Sequence, residues 1–196
     1  MTHYFSEKQT SELRLMKINI QLKSGSFELY SGSGVFSKKK LDKGTEVLLN
    51  YVIIKDEWNV LDLGCGIGVV GIAIKKLYPE TQLTLTDINM RAIKLTKMNA
   101  KLHNLEMKIF QSDLFKKIKE KFDTILTNPP QTAGKDVCFK IIEDSSEFLK
   151  KDGILQLVAR HNKGGKTLSE KMESVFGNVD TVAKKSGYRL YISKKI

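Results

Sequence analysis

The chain has 196 residues, 41% of them apolar, with two cysteines and a formal net charge of +11. That size suits one α/β domain with a substantial core, while no apolar run approaches the roughly 18–20 residues of a membrane span, and residues 1–10 lack the basic-then-apolar order of a secretory leader. Cys65 and Cys138 fit neither a metal spacing nor a disulfide framework, which points to a reducing, cytoplasmic setting. An excess of Lys and Arg makes nucleic acid the first partner to consider, because phosphate binding releases counterions; a solvated lysine-rich surface is the plainer alternative.

In chain order, Lys17 to Leu22 alternates polar and apolar residues and, across the turn Lys23-Ser24-Gly25-Ser26, meets Phe27 to Tyr30 as a β-hairpin. From residue 43 the period becomes helical, with Thr45, Leu48, Leu49 and Val52 on one face. Strands are expected at 59–63, 82–86, 107–110, 122–127 and 154–159, and helices between them at 69–77, 90–103 and 137–149, with a helical turn near 114–118. A helix at 166–176 precedes two last strands, 179–183 and 188–193, joined by Lys184-Lys185-Ser186-Gly187. Regular β–α alternation implies a mainly parallel sheet covered on both faces, and the terminal hairpin adds an antiparallel strand. The expected organisation is one domain over 1–196: a hairpin-bearing extension, 1–42, on a core, 43–196.

Val60 to Leu63 runs as an apolar strand into Gly64-Cys65-Gly66-Ile67-Gly68. Glycines there let a ligand approach the backbone, and the helix that follows offers unpaired N–H groups. Nineteen residues after Gly68, Asp87 ends the next strand, where a carboxylate can accept from ribose hydroxyls. Gly66-Ile67-Gly68-Val69-Val70-Gly71 also fits the dinucleotide pattern of NAD and FAD sites. Asp62, suited to the cationic ammonium of a methionyl group, favours S-adenosylmethionine instead. Asp113 then faces the adenine amino group, a role compatible with a helix N-cap.

Asn128-Pro129-Pro130 closes the apolar run 122–127 at the carboxyl edge of the sheet, 64 positions after Gly64. An exocyclic amine is a poor nucleophile because its lone pair is delocalised. The Asn128 side-chain oxygen and the Pro129 carbonyl can each accept one amine hydrogen and so favour a pyramidal nitrogen. The prolines keep those acceptors preorganised. Methyl transfer is then an in-line displacement needing no metal. A loop opener without chemistry is the plainer reading of the motif.

With these motifs, with Gly34-Val35-Phe36-Ser37 and Leu41-Asp42-Lys43-Gly44-Thr45, and with Gly134 and the ending Gly187-Tyr188-Arg189, the chain resembles the small methyltransferase domain of class I enzymes. It is similar above all to ribosomal RNA guanine-N2 methyltransferases and their single-domain archaeal relatives, over nearly its whole length. The resemblance implies a Rossmann-like, seven-stranded sheet, S-adenosylmethionine as cofactor and RNA as substrate, with Pro130 beside the base. Two readings from other classes stand beside it: N5 methylation of a protein glutamine, and a non-catalytic RNA-binding protein on the same fold.

Gln131 departs from adenine-N6 and glutamine methylases, which carry an aromatic there. Phe36 is the candidate stacking platform, an ordinary core phenylalanine being the alternative. The second, degenerate domain of the bacterial guanine-N2 enzymes has no counterpart in the sequence. Lys38, Lys39, Lys40, Lys135, His161, Lys163 and Lys166 are expected to border the catalytic edge, whereas Lys75, Lys76, Lys150 and Lys151 fall at helix C-termini on the far side. His161, lacking a neighbouring acid or nucleophile, reads as a loop residue.

Overall fold

The computed structural model describes Glu7, Gln9 and residues 12–36, 41–130 and 134–196. An antiparallel hairpin, β1 (Leu15–Leu22) and β2 (Gly25–Gly32), precedes helix α1 (Lys43–Tyr51). There follow β3 (Asn59–Leu63), α2 (Val69–Leu77), β4 (Gln82–Asp87), α3 (Met90–Leu102), β5 (Lys108–Gln111) and β6 (Phe122–Thr127). The chain continues through α4 (Lys135–Phe148), β7 (Leu149–Arg160), α5 (Gly165–Phe176), β8 (Asp180–Lys185) and β9 (Tyr188–Lys194).

Seven strands form one sheet in the order β5-β4-β3-β6-β7-β9-β8, and β9 alone runs opposite to the other six. Its central strands are buried on both faces, so they read as mainly apolar runs in which even the polar members Asp62, Thr124 and Gln156 are buried. Successive residues still part between two cores: Leu61, Ile125 and Leu157 pack with α4 and α5, while Val60, Leu126 and Val158 pack with α1 and α2. Connections leave β3 toward β4 on one side and bring β6 in on the other. A crevice therefore opens at the carboxyl ends of β3 and β6, the switch point at which such sheets bind ligands.

Ile18, Ile20 and Leu29 of the hairpin pack on Ala92 and Leu95 of α3. Buried Asn99 of α3 joins this layer to the glycine turn: it accepts from the Tyr30 N–H at 2.7 Å and donates to the carbonyls of Tyr30 and Ile67, both at 2.9 Å. The extension thus braces the turn it approaches.

The helical turn expected near 114–118 is present as two i to i+3 turns, the Lys116 N–H donating to the Asp113 carbonyl and the Ile118 N–H to the Phe115 carbonyl, with Leu114 in left-handed backbone at φ 47°. Two local expectations are corrected. The last hairpin turns at Ser186-Gly187 alone, both with positive φ, the two-residue geometry that matches strand twist. Helix α4 stops at Phe148, so Lys150 and Lys151 belong to β7; Lys150 pairs with Asp123 at 2.7 Å. Among the described residues no helix is long and apolar enough to cross a membrane.

Candidate functional site

A cavity of about 490 Å³ occupies the crevice, reaching from Asp62, Gly64 and Asp87 to Asn128 and Tyr188. Its floor is the glycine turn. Gly64 and Gly66 adopt φ of 77° and 58°, and a Cβ on either would meet no protein atom within 4 Å, so both leave room where an ordinary side chain would project. Gly68 and Gly71 serve packing instead: a Cβ on Gly71 would lie 2.4 Å from Leu85 Cδ2, and one on Gly68 2.8 Å from Thr96 Cγ2. The G-x-G-x-x-G spacing thus divides into an open cradle and a tight helix-to-strand contact.

Two carboxylates lie against the cradle. Asp62, buried at the centre of the sheet, accepts from the Gly71 N–H at 3.1 Å. Burial pushes its carboxyl up to about 7, the Gly71 hydrogen bond opposing and the nearby Asp87 adding to the rise. Asp87 accepts from the Gly66 N–H at 2.9 Å and the Asn89 N–H at 2.8 Å, and burial raises it to about 6. Thr86, fully buried and lining the same cavity, has a hydroxyl with no hydrogen-bond partner among the described residues. A buried acid, a half-buried one and an orphan hydroxyl beside an open glycine cradle fit a cationic ligand that also presents hydroxyls.

Asp113 lines the cavity but caps no helix; its carboxylate pairs with Lys116 at 2.6 Å. At the other end stand Asn128, Pro129 and Pro130. Asn128 Nδ2 donates to Asp42 Oδ2 at 2.9 Å and to Thr45 Oγ1 at 3.2 Å, while its Oδ1 remains uncommitted among the described residues. Phe36 lines the cavity and is 41% exposed, which rules out the core reading. Lys135 opens α4, exposed, with its Nζ 4.9 Å from the Phe139 ring centre. Gln131 and Lys38, with Lys39 and Lys40, lie outside the described residues.

Sequence reasoning passed over Asp42, Thr45, Thr86 and Tyr188 as site residues. Asp42-x-x-Thr45 carries a helix N-cap spacing, which the structure uses: the Thr45 N–H donates to Asp42 Oδ2 at 3.0 Å. Tyr188 reaches the cavity because β9 pairs it with Arg160, placing it at the carboxyl end of β7. His161 Nδ1 lies 2.7 Å from the Tyr191 hydroxyl, and burial with nearby Arg189, Lys166 and Lys184 lowers its pKa.

The family description of the methyltransferase small domain matches residues 26–192. The chain belongs to the methyltransferase small-domain family. As such it is an S-adenosylmethionine-dependent methyltransferase, and the cradle with its two acids has the character that this cofactor's ammonium and ribose require. The chain is 37% identical over 198 residues to the uncharacterized protein YbxB of Bacillus subtilis, covering 99% of this chain and 98% of that one. It is 35% identical over 192 residues to ribosomal RNA small subunit methyltransferase C of Shewanella amazonensis, covering 96% of this chain and 55% of that enzyme. This small-domain methyltransferase therefore spans about half the length of the named ribosomal RNA methyltransferases that it matches. Among solved structures, the Thermus thermophilus 16S rRNA N2 G1207 methyltransferase, in complex with AdoMet and guanosine, superposes with a TM-score of 0.81. That match covers 95% of this chain and 51% of the other and, at 20% identity, speaks for the fold alone.

Proposed function

We propose that this small-domain methyltransferase modifies an exocyclic amine of an RNA base, guanine N2 of ribosomal RNA. The observation that carries the reading is the Asn128 side chain at the cavity, with Nδ2 held by Asp42 and Thr45 and Oδ1 left as an acceptor. Support for ribosomal RNA comes from the names of the relatives that match most of this chain, and support for guanine N2 from the Thermus thermophilus enzyme that shares the fold. The compartment that follows is the cytoplasm.

In this reading Gly64 and Gly66 with Asp62, Asp87 and Asp113 hold the cofactor, Gly68 shaping the turn through its close packing on Thr96, and the cofactor supplies an electrophilic methyl on a cationic sulfur when bound. Asn128 Oδ1 and the Pro129 carbonyl accept the two amine hydrogens, lifting the nitrogen lone pair out of conjugation. The nitrogen then forms a bond to the methyl carbon as the carbon–sulfur bond breaks. The proton that the nitrogen must shed passes to water. Phe36 and Pro130 flank the base, with Gln131 at its edge. Neither acceptor changes its protonation state, so the chain contributes geometry and electrostatics rather than a general base.

Phosphate recognition is assigned to the basic rim of the same edge. Beyond Lys38 and Lys135, the register of the last strands brings Lys184 beside Arg189 and Tyr188 beside Arg160 at the carboxyl end of β7. This charge lies next to Tyr188, itself part of the cavity wall. Incubating the wild type and Asn128→Ala with methyl-labelled cofactor and ribosomal RNA tests the assignment: label should enter RNA with the wild type and drop about 10²–10³-fold with the variant. Equal labelling by both would remove Asn128 from the chemistry.

A further inference from the structure

Asparagine is symmetric enough that its amide can present either the oxygen or the nitrogen to a ligand, and the two choices have opposite consequences here. A nitrogen facing the substrate amine would place donor against donor and oppose reaction. The partner behind Asn128 decides between them. A carboxylate oxygen only accepts, so the atom 2.9 Å from Asp42 Oδ2 must be Nδ2, and Oδ1 is thereby fixed as the group available to the cavity. Thr45 Oγ1, at 3.2 Å, accepts from the same nitrogen.

The approach depends on local sequence. Asp42 precedes α1 in extended backbone, φ −67° and ψ 142°, and one oxygen of its carboxylate takes both the Thr45 N–H and the Asn128 amide. Between them Gly44 is buried. A Cβ there would lie 2.9 Å from Asp42 Oδ2, 2.9 Å from Tyr188 Cε1 and 3.1 Å from Asn128 Nδ2, so only glycine lets the helix start, the β6 loop and the β9 tyrosine converge. The contact joins positions 86 residues apart, in two elements that meet only in the fold.

We propose that Asp42, seconded by Thr45, is a positioning residue that fixes the amide of Asn128 with its oxygen toward the substrate amine. This rests on the reading of Asn128 as the amine acceptor. It adds an orienting function to a residue whose other duty is to cap a helix. The carboxylate also polarises the amide, since a hydrogen bond donated at Nδ2 strengthens the acceptor at Oδ1.

Serine caps helices about as well as aspartate but is too short to span to Asn128, so Asp42→Ser separates the two duties. The expected result is a melting temperature close to wild type, dissociation of S-adenosylhomocysteine within about twofold of wild type, and turnover lowered about 10–100-fold. A double-mutant cycle with Asn128→Ala sharpens this: Asp42→Ser should cost nothing further once Asn128 is gone. Independently of activity, the side-chain amide resonance of Asn128 in a ¹⁵N-labelled sample, assigned by its loss in Asn128→Ala, should shift toward the solvent-exposed position in Asp42→Ser. An unmoved resonance, or full additivity of the two substitutions, would overturn the proposal. If the wild type labelled no RNA, the functional reading would fall while the resonance still decided the orienting contact.

Discussion

The Gly71 N–H donates to Asp62 Oδ2 at 3.1 Å, tying the first turn of α2 to a carboxylate sunk in the centre of the sheet. A single backbone hydrogen bond does not offset the desolvation of that carboxylate, and Asp87 adds like charge, so Asp62 rises to about 7; desolvation also raises Asp87, to about 6, against hydrogen bonds from the Asn89, Gly66 and Ile88 backbone. Both bind protons more tightly in the folded chain than in the unfolded one, where 3.8 applies. Their contribution to stability is fully present below about pH 3.8 and is lost as pH rises through 6 and 7. A ligand bearing an ammonium group reverses this, since it binds the ionised form. Affinity for S-adenosylhomocysteine should therefore rise by on the order of tenfold between pH 5.5 and pH 8, following Asp62 ionisation. Calorimetric titration across that range checks it, and Asp62→Asn should flatten the dependence. An affinity that falls with pH would place the ammonium elsewhere.

Asp87→Ala tests the other acid. Loss of a charge-assisted acceptor should weaken S-adenosylhomocysteine binding by roughly 1–3 kcal/mol. The same substitution frees the Gly66 and Asn89 N–H groups, so a thermal melt of the ligand-free variant separates lost ligand contact from a loosened turn. Preferential binding of NAD by the wild type would contradict the assignment of the cradle.

Glycines of one motif should behave differently. Gly71→Ala forces a Cβ to within 2.4 Å of Leu85 Cδ2 and should destabilise the fold by about 1–3 kcal/mol while sparing ligand contacts. Gly66→Ala projects into open space, so its main effect should be on the cofactor, at tenfold or more in affinity, with about 1–2 kcal/mol of backbone strain from φ 58°. Melting temperatures and titration calorimetry on both variants distinguish the roles.

Much of this was legible in sequence because the central strands carry their own signal. Leu61 and Ile125 sit in mainly apolar runs, and the two motifs close those runs, so the turn at Gly64 and the loop at Asn128 were placed at the carboxyl edge from the pattern of strands. Contacts between remote segments were not legible. Asp42 showed only an N-cap spacing, and nothing local says that its carboxylate also meets Asn128. Tyr188 entered the cavity through the register of β9 against β7, which pattern cannot specify. The turn near Leu114 was legible, but not the left-handed backbone that opens it, which apolar spacing does not encode.

The RNA assignment predicts salt-dependent binding. Each single-strand phosphate contact contributes roughly 0.7 to the slope of log affinity against log salt, so replacing Lys184 and Lys166 together should lower the slope by up to about 1.4. Replacing Lys38, Lys39 and Lys40 should lower it by up to about 2. Lys75, whose Nζ donates to the carbonyls of Pro79 and Thr81 at the opposite end of the sheet, is the control expected to leave the slope unchanged. A slope indifferent to Lys184 and Lys166 would move the RNA path off this edge.

The base itself decides the central claim. Ribosomal RNA from cells lacking the protein, incubated with purified enzyme and methyl-labelled S-adenosylmethionine and then digested to nucleosides, should carry its label in N2-methylguanosine. Label in N6-methyladenosine would keep the chemistry of Asn128 and contradict the choice of base; label confined to protein would contradict RNA as the substrate.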